Sequence, residues 1–291
     1  MLKRRLNKVL AQATGYHFAR VRKGGQTAAQ TAAAPAASRT RPRGGRKGGK
    51  SRSRSSARRR KTTVLPAHYD AAATTVIERV GARTMTQPEK LFGLILATRY
   101  IVRHQIPGDI VECGVWRGGS MQAAALTLLD SGEVTRDLHL YDTFEGMTPP
   151  DEVDRRRDGT PAADLLASSN RDSRVWGVAT LEDVQAGMAE VDYPPERVHF
   201  HPGKVEDTIP GEAPESVAIL RLDTDWYAST AHELEHLYDR LSPGGVLIID
   251  DYSYWEGSRR ATDEFLAKSG APLLLAPIAD GMIAVKPGLQ A

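Results

Sequence analysis

Residues 217–251, which read VAILRLDTDWYASTAHELEHLYDRLSPGGVLIIDD, decide the fold of this chain. An apolar strand runs into Asp223, a helix is predicted from near Thr230, and a second apolar strand runs into Asp250 and Asp251. Two apolar runs of strand length around one helix are typical of a parallel βαβ unit, whose strands are buried on both faces. Parallel neighbours end at the same edge of a sheet, where open α/β sheets bind their ligands. We therefore expect the three carboxylates to converge at that edge.

The charge of the chain is divided unevenly along its length. Of the 39 Lys and Arg among its 291 residues, 19 lie in residues 1–61, which contain no Asp or Glu. Residues 62–291 hold the other 20 against all 36 acidic residues, a formal charge of −16, so the net charge of +3 hides a basic arm joined to an acidic body. A body of roughly 230 residues suits one α/β domain with a full core. The single cysteine, Cys113, excludes an internal disulfide, and no apolar run approaches the roughly 18 residues of a membrane span.

The arm divides into two segments. Residues 1–23 carry apolar positions at helical spacing opposite Lys and Arg, which predicts a short amphipathic helix, and residues 24–61 have the composition of a disordered linker. An anionic membrane surface or another polyanion is the candidate partner of residues 1–61. We expect no stable nucleic-acid partner, because the arginine runs have no interleaved aromatic residues to stack on bases. A solubilising tail and an organelle transit peptide stay open as alternatives, and the body is expected to be cytoplasmic, with peripheral membrane attachment if the arm binds lipid.

A strand, a glycine turn and a helix come earlier in the body. The strand at 109–114 leads through Gly118 and Gly119 into an alanine-rich helix, and the next strand, 138–141, ends in Asp142. Such a turn lets a nucleotide-like ligand approach the backbone, and an acid at the end of the second strand can accept ribose hydroxyls. The glycine spacing differs from G-x-G-x-x-G, which disfavours a dinucleotide-binding dehydrogenase.

Three further segments complete the body. The capping-box spacing of Thr86 and Glu89 predicts a helix through Arg103. The long polar connection at 144–175 is interpreted as a lid over the site. Residues 273–286 predict a terminal β-hairpin, turning at Asp280 and Gly281.

The central helix contains the sequence His232-Glu233-Leu234-Glu235-His236, which matches the HExxH zinc signature. A core helix explains it better, because Thr230 and Glu233 have capping-box spacing and Leu234, Leu237 and Leu241 form an apolar stripe. We interpret this helix as the crossover of the βαβ unit and disfavour a zinc site.

Four motifs make the body similar to a known family. They are Glu112-Cys113-Gly114-Val115-Trp116-Arg117-Gly118-Gly119-Ser120, Tyr141-Asp142-Thr143-Phe144-Glu145-Gly146-Met147, Leu222-Asp223-Thr224-Asp225-Trp226-Tyr227, and Pro243-Gly244-Gly245 leading to Asp250-Asp251-Tyr252. In this order they resemble the macrocin O-methyltransferase family, S-adenosyl-L-methionine-dependent enzymes that methylate sugar hydroxyls of macrolide and aminocoumarin natural products. The similarity runs from about His68 to Lys286 and leaves the arm outside it.

The resemblance implies a fold, a cofactor and a metal. The fold is α/β, a class I methyltransferase (Rossmann-like) domain over residues 62–291, with a seven-stranded, mostly parallel sheet and an antiparallel terminal hairpin. The residues implied for the S-adenosyl-L-methionine pocket are Glu112, Gly114, Ser120 and Asp142, with Thr84 and Met85 covering it. The residues implied for a Mg²⁺ ion are Asp223, Asp250 and Asp251, and their hard carboxylate oxygens suit that ion.

The expected reaction is methyl transfer to a hydroxyl of a sugar or glycosylated natural product. Asp223 is the candidate for both metal ligand and general base, as the resemblance implies, and Asp225 is the competing base. Successive side chains of a strand point to opposite faces, so Asp250 and Asp251 can both bind one metal only if the strand has already bent there. We expect acceptor specificity in the 144–175 connection and in four aromatic residues that could stack on a sugar: Trp176, Tyr252, Tyr254 and Trp255.

Two other functions stay open. The chain could methylate nucleic acid with the basic arm as an electrostatic anchor, in which case binding would fall steeply with salt. It could also be a nucleotide-binding scaffold without turnover, although three acids at the strand ends disfavour this. A homo-oligomer is expected.

Overall fold

The computed structural model describes residues 65–288, so the helix predicted at 1–23 and the whole linker predicted at 24–61 lie outside the described residues. Seven strands form one sheet in the order β3-β2-β1-β4-β5-β7-β6. The strands are β1 Asp109–Cys113, β2 Leu138–Asp142, β3 Val198–Pro202, β4 Val217–Leu222, β5 Leu241–Ile249, β6 Ala276–Ile278 and β7 Gly281–Val285. Strands β1 to β5 are parallel, and β7 pairs antiparallel with both β5 and β6. The predicted seven-stranded sheet with an antiparallel terminal hairpin is confirmed.

Helices cover both faces of this sheet. They are α1 Ala71–Val80, α2 Pro88–Arg103, α3 Gly119–Asp130, α4 Ala162–Ser168, α5 Leu181–Ala189, α6 Val205–Thr208, α7 Tyr227–Leu237 and α8 Glu256–Ser269. One apolar core lies between the sheet and α2, α3 and α5, and a second lies between the sheet and α6, α7 and α8. The central strands β1, β4 and β5 are buried along almost their whole length, as expected for parallel strands covered on both faces.

Two predicted capping boxes are wrong, although the predicted helix through Arg103 is confirmed. Helix α7 begins at Tyr227 rather than near Thr230, and Thr230 lies buried within it, so Thr230 and Glu233 form no capping box. Helix α2 begins at Pro88, where proline is favoured because its missing N–H would have no helical partner. Thr86 does not cap this helix, because its hydroxyl instead bonds to Arg221 at 3.0 Å.

Within the part of the chain that the structure describes, no helix is long and apolar enough to cross a membrane.

Candidate active site at the carboxyl edge of the sheet

The ends of β1, β4 and β5 bring the predicted site residues to one edge of the sheet. Cys113 pairs with Leu222, and Leu222 pairs with Ile249, so the residue that follows each strand lies beside its neighbours. The amide of Asp223 donates to the Cys113 carbonyl at 2.8 Å, and the amide of Asp250 donates to the Leu222 carbonyl at 2.9 Å. The parallel register therefore produces the convergence that the sequence predicted.

Three carboxylates form the tightest acidic group at this edge. One oxygen from each of Asp223, Asp225 and Asp251 lies within 4.8 Å of the other two. Burial raises the pKa of Asp223 and of Asp251 well above the ordinary value, and the neighbouring carboxylates add to the rise. Burial also raises the pKa of Asp225, to about 7. Three carboxylates this close together repel one another when they are ionised. A divalent cation bound between them would offset that repulsion.

Asp250 lies beside this group but forms different contacts. Strand β5 ends at Ile249, and Asp250 accepts hydrogen bonds from Arg221 at 2.5 Å and from Lys90 at 2.6 Å. Burial alone would raise the pKa of Asp250, but these two cations outweigh it and lower the pKa. The structure therefore groups Asp225, rather than Asp250, with Asp223 and Asp251.

A buried arginine links the strand ends. Arg221 is fully buried in β4 and donates to Glu112, to Asp223 at 2.8 Å and to Asp250. Burial raises the pKa of Glu112 to about 7, although Arg221 opposes the rise. Sequence reasoning missed Arg221, but a charged residue inside an apolar strand is a detectable signal, because an unpaired buried charge is too costly to retain.

Lys90 is the second cation that sequence reasoning missed. Its side chain is buried in α2, and its ammonium contacts Asp250 and, at 2.8 Å, Asp280 in the turn between β6 and β7. The terminal hairpin thereby contributes an acid to the site. No spacing in the sequence distinguishes Lys90 from an ordinary surface lysine.

The glycine turn after β1 packs directly against the acidic loop. Gly114 has a φ of +83°, and a Cβ built there would lie 2.2 Å from the Asp223 carbonyl oxygen. A side chain at Gly119 would lie 2.6 Å from the Arg83 backbone. Only glycine fits such contacts, so the backbone of this turn stays open to a ligand.

Asp142 organises the same turn. One of its oxygens accepts from the amides of Val115 and Trp116, each at 2.9 Å, and the other accepts from the Phe144 amide at 2.8 Å. The carboxylate thus holds the glycine turn in shape, in addition to the predicted contact with ribose hydroxyls.

A cavity of about 440 Å³ connects the glycine turn to the acidic group. The predicted cofactor residues that line it are Thr84, Met85, Gly114, Ser120 and Asp142, and the predicted metal and base residues that line it are Asp223, Asp225, Asp250 and Asp251. Glu112 does not line the cavity, since it is fully buried against Arg221. A cavity of this size can hold a small organic ligand.

Comparison with known proteins assigns the chain to a family. A sequence model described as Macrocin-O-methyltransferase (TylF) matches residues 47–281. The chain belongs to this family. It is therefore a methyltransferase, and the resemblance inferred from the four motifs is confirmed. The similarity was expected to run from about His68 to Lys286 and to leave the arm outside it, but the match includes residues 47–61 of the arm and ends at Gly281.

Several named O-methyltransferases are similar to this chain over most of the body. The 8-demethyl-8-(2,3-dimethoxy-alpha-L-rhamnosyl)-tetracenomycin-C 4'-O-methyltransferase of Streptomyces olivaceus is 36% identical over 189 residues, which cover 65% of this chain and 69% of that protein. The demethyldecarbamoylnovobiocin O-methyltransferase of Streptomyces niveus is 33% identical over 187 residues, which cover 64% and 69%. The solved structure of the O-methyltransferase NovP has a TM-score of 0.62 and 31% identity, and the alignment covers 71% of this chain and 83% of NovP.

The 144–175 connection of this methyltransferase forms one wall of the cavity. It contains α4 and packs in a small apolar cluster whose buried members are Ala162, Leu166, Trp226 and Trp255. Of the four aromatic residues predicted near the acceptor, Tyr254 and Trp255 line the cavity. Tyr252 donates to Asp263 at 2.6 Å and Trp176 donates to the Ser169 carbonyl at 3.3 Å, and neither lines the cavity.

The HExxH residues of this family member lie away from the cavity. Glu233 is fully buried, and burial raises its pKa well above the ordinary value. His232 bonds through Nε2 to the Ile209 carbonyl at 2.9 Å. Leu234 and Leu237 are buried in α7 as predicted, but Leu241, the third member of the predicted stripe, is the first residue of β5.

Proposed function

We propose that this methyltransferase transfers the methyl group of S-adenosyl-L-methionine to a hydroxyl of a sugar in a glycosylated natural product. The supporting observation is the single cavity that runs from the glycine turn after β1 to the carboxylates after β4 and β5. The relatives support the acceptor class, because they are named as O-methyltransferases of tetracenomycin, novobiocin and mycinamicin compounds.

The methyl donor fits the glycine-turn end of the cavity. Gly114 and Gly119 leave the backbone open, and Asp142 lies at the end of β2, where a ribose would lie in this fold. Ser120, Thr84 and Met85 would contact the amino-acid part and cover it, with Glu112 beneath them. S-adenosyl-L-methionine supplies an electrophilic methyl group on a sulfonium.

A magnesium ion fits the acidic end. Among residues 65–288, six carboxylates form one contact network with two cations, Lys90 and Arg221. The carboxylates are those of Glu112, Asp223, Asp225, Asp250, Asp251 and Asp280. Mg²⁺ prefers hard oxygen ligands of this kind. Asp223, Asp225 and Asp251 would hold it, and a bound ion would make an acceptor hydroxyl more acidic. That Asp250 is a ligand stays a prediction, because its oxygens would first have to leave Lys90 or Arg221.

Asp223 is the proposed general base. Arg221 donates to one of its oxygens at 2.8 Å, and the other oxygen would take the proton of an acceptor hydroxyl. Methyl transfer is an in-line displacement, so the hydroxyl must be held behind the methyl group. The connecting segment and Tyr254 form the wall against which a sugar would be held.

The test is methyl transfer from labelled S-adenosyl-L-methionine to a panel of glycosides, using the whole chain and a chain that starts near Thr62. We expect a monomethylated glycoside carrying the label on a sugar oxygen, with both chains equally active on small acceptors. Labelled nucleic acid with no labelled glycoside would contradict the proposal. A large loss of rate in the shorter chain would show that residues 1–61 belong to the active site.

A further inference from the structure

A buried carboxylate in the 144–175 connection contacts the helix that follows the acidic loop. Asp154 is only 1% exposed. One of its oxygens accepts from the Tyr227 amide, the first residue of α7, at 2.8 Å, and the other accepts from the Asp151 amide at 2.7 Å. Asp154 therefore caps α7 from a segment about 70 positions earlier in the chain.

Helix α7 has no side-chain cap of its own. Trp226 occupies the N-cap position and bonds no helix amide through its side chain. The turn that enters the helix is tight, because Asp225 has a φ of +73° and the Trp226 amide donates to the Thr224 carbonyl at 2.9 Å. A non-glycine residue with this φ is strained, and such a turn persists only when surrounding contacts hold it.

The contact with Asp154 is one of several that join the connection to the exits of β4 and β5. The indole of Trp226 donates to the Thr148 carbonyl at 3.0 Å, and the Arg157 amide donates to the Tyr254 carbonyl at 2.9 Å. Gly257, in the first turn of α8, leaves room for the carboxylate, since a Cβ built there would lie 1.9 Å from Asp154 Oδ1. The acceptor wall, α7 and α8 therefore meet at this one side chain.

We propose that Asp154 is a positioning residue, which fixes the turn bearing Asp223 and Asp225 against the acceptor wall by capping α7 from the connection. The proposal rests on the function proposed above. It assigns to the connection a fixed contact with the acidic loop, in place of a freely moving lid. It also predicts an effect at the acidic end of the cavity alone, because the side-chain hydrogen bonds of Asp154 go to the Tyr227 and Asp151 amides.

The test compares Asp154→Asn and Asp154→Ala with Glu152→Gln, an exposed residue of the same connection whose change also removes one charge. The first measurement is amide hydrogen exchange of peptides covering 223–230 and 114–122, which requires no acceptor. We expect exchange in 223–230 to be about five- to tenfold faster in Asp154→Ala, the loss of protection expected when a cap is removed, and unchanged in 114–122. Asp154→Asn keeps one acceptor oxygen for the Tyr227 amide and should be intermediate.

The second measurement separates binding from turnover. With any glycoside that the wild-type enzyme methylates, we expect Asp154→Ala to lower kcat by about tenfold or more. It should also weaken the binding of Mn²⁺, which is used here as a probe in place of Mg²⁺. The dissociation constant of S-adenosyl-homocysteine should stay within about twofold of the wild-type value. Glu152→Gln should match the wild type in every measurement.

Three outcomes would overturn the proposal. In the first, Asp154→Asn and Asp154→Ala exchange and turn over like the wild type. In the second, Asp154→Ala loses as much affinity for S-adenosyl-homocysteine as for Mn²⁺, which would mean a general loss of structure. In the third, Asp154→Ala does not fold and Asp154→Asn shows no change at 223–230. A wild-type chain that binds the cofactor but methylates no glycoside would instead contradict the proposed function, and the exchange data would still decide the role of Asp154.

Discussion

Replacing Gly114 by alanine tests whether the glycine turn and the acidic loop form one unit. The new Cβ would lie 2.2 Å from the Asp223 carbonyl oxygen and 2.6 Å from its carbonyl carbon, and both are backbone atoms that cannot rotate away. The φ of +83° adds strain of about 1 kcal/mol for a residue with a side chain. Overpacking against backbone typically costs a further ~1–3 kcal/mol, so we expect a loss of about 2–4 kcal/mol in the free energy of unfolding.

Gly132→Ala provides the matched control. Gly132 has a φ of +71°, and a Cβ built there meets no atom within 4 Å. It should therefore cost only the backbone strain of about 1 kcal/mol and leave activity unchanged. The difference between the two variants isolates the contact with Asp223.

Urea unfolding followed by circular dichroism measures the stability, and label transfer from S-adenosyl-L-methionine measures the activity. We expect Gly114→Ala to lose most of its kcat, because relief of the contact moves the backbone of the proposed base. Equal unfolding free energies for the two variants, together with full activity of Gly114→Ala, would refute the inferred contact between the turn and the loop.

Three further predictions concern the charges of the site. Arg221→Met should lower the free energy of unfolding by about 3–5 kcal/mol, because it leaves buried carboxylates unpaired. The control Arg259→Met changes an exposed residue and should alter this free energy little. Equal free energies of the two variants in urea unfolding would contradict this. Asp225→Asn should weaken Mn²⁺ binding, measured by electron paramagnetic resonance, more than Asp250→Asn does, and the reverse order would restore Asp250 as the ligand. Burial raises the pKa of Asp225 to about 7, and this carboxyl must lose its proton to bind a metal. Mn²⁺ affinity should therefore rise as the pH increases from 5 through about 7, and a pH-independent affinity would contradict this.

The strands and the edge at which they end could be predicted from the sequence, because buried parallel strands are continuous apolar runs. The register of β4 with β5 then determines that Asp223 and Asp250 are neighbours. Fold and family followed from these runs and from four local motifs, each of which depends on residues close together in the chain.

The side-chain partners within the site could not be predicted in the same way. Thr86 has the spacing of a capping residue, but the hydroxyl bonds to the buried Arg221, which only the folded chain brings near it. The capping-box rule uses only residues that are close together in the chain, so it cannot account for the buried charge of Arg221. Tertiary contact therefore decided the role of Thr86.

The composition of the acidic group depends on where β5 ends. Sequence reasoning recognised that Asp250 and Asp251 could share a metal only if the strand had bent, and the strand does end before them. Asp250 rather than Asp251 then bonds to the cations Lys90 and Arg221. No pattern in α2 marks Lys90 as a partner of the site. Asp154 was missed for a similar reason, since its contact with Tyr227 joins segments that are distant in sequence.

The magnesium dependence of methyl transfer tests the central claim most directly. The chain is treated with a chelator, dialysed, and assayed with labelled S-adenosyl-L-methionine and an accepted glycoside, alongside Asp223→Ala and the exposed control Asp239→Ala. We predict that the chelated wild-type chain and Asp239→Ala are inactive until Mg²⁺ is added, and that Asp223→Ala still binds the cofactor but stays inactive at any Mg²⁺ concentration. A full rate in the presence of the chelator, or turnover by Asp223→Ala, would contradict the account.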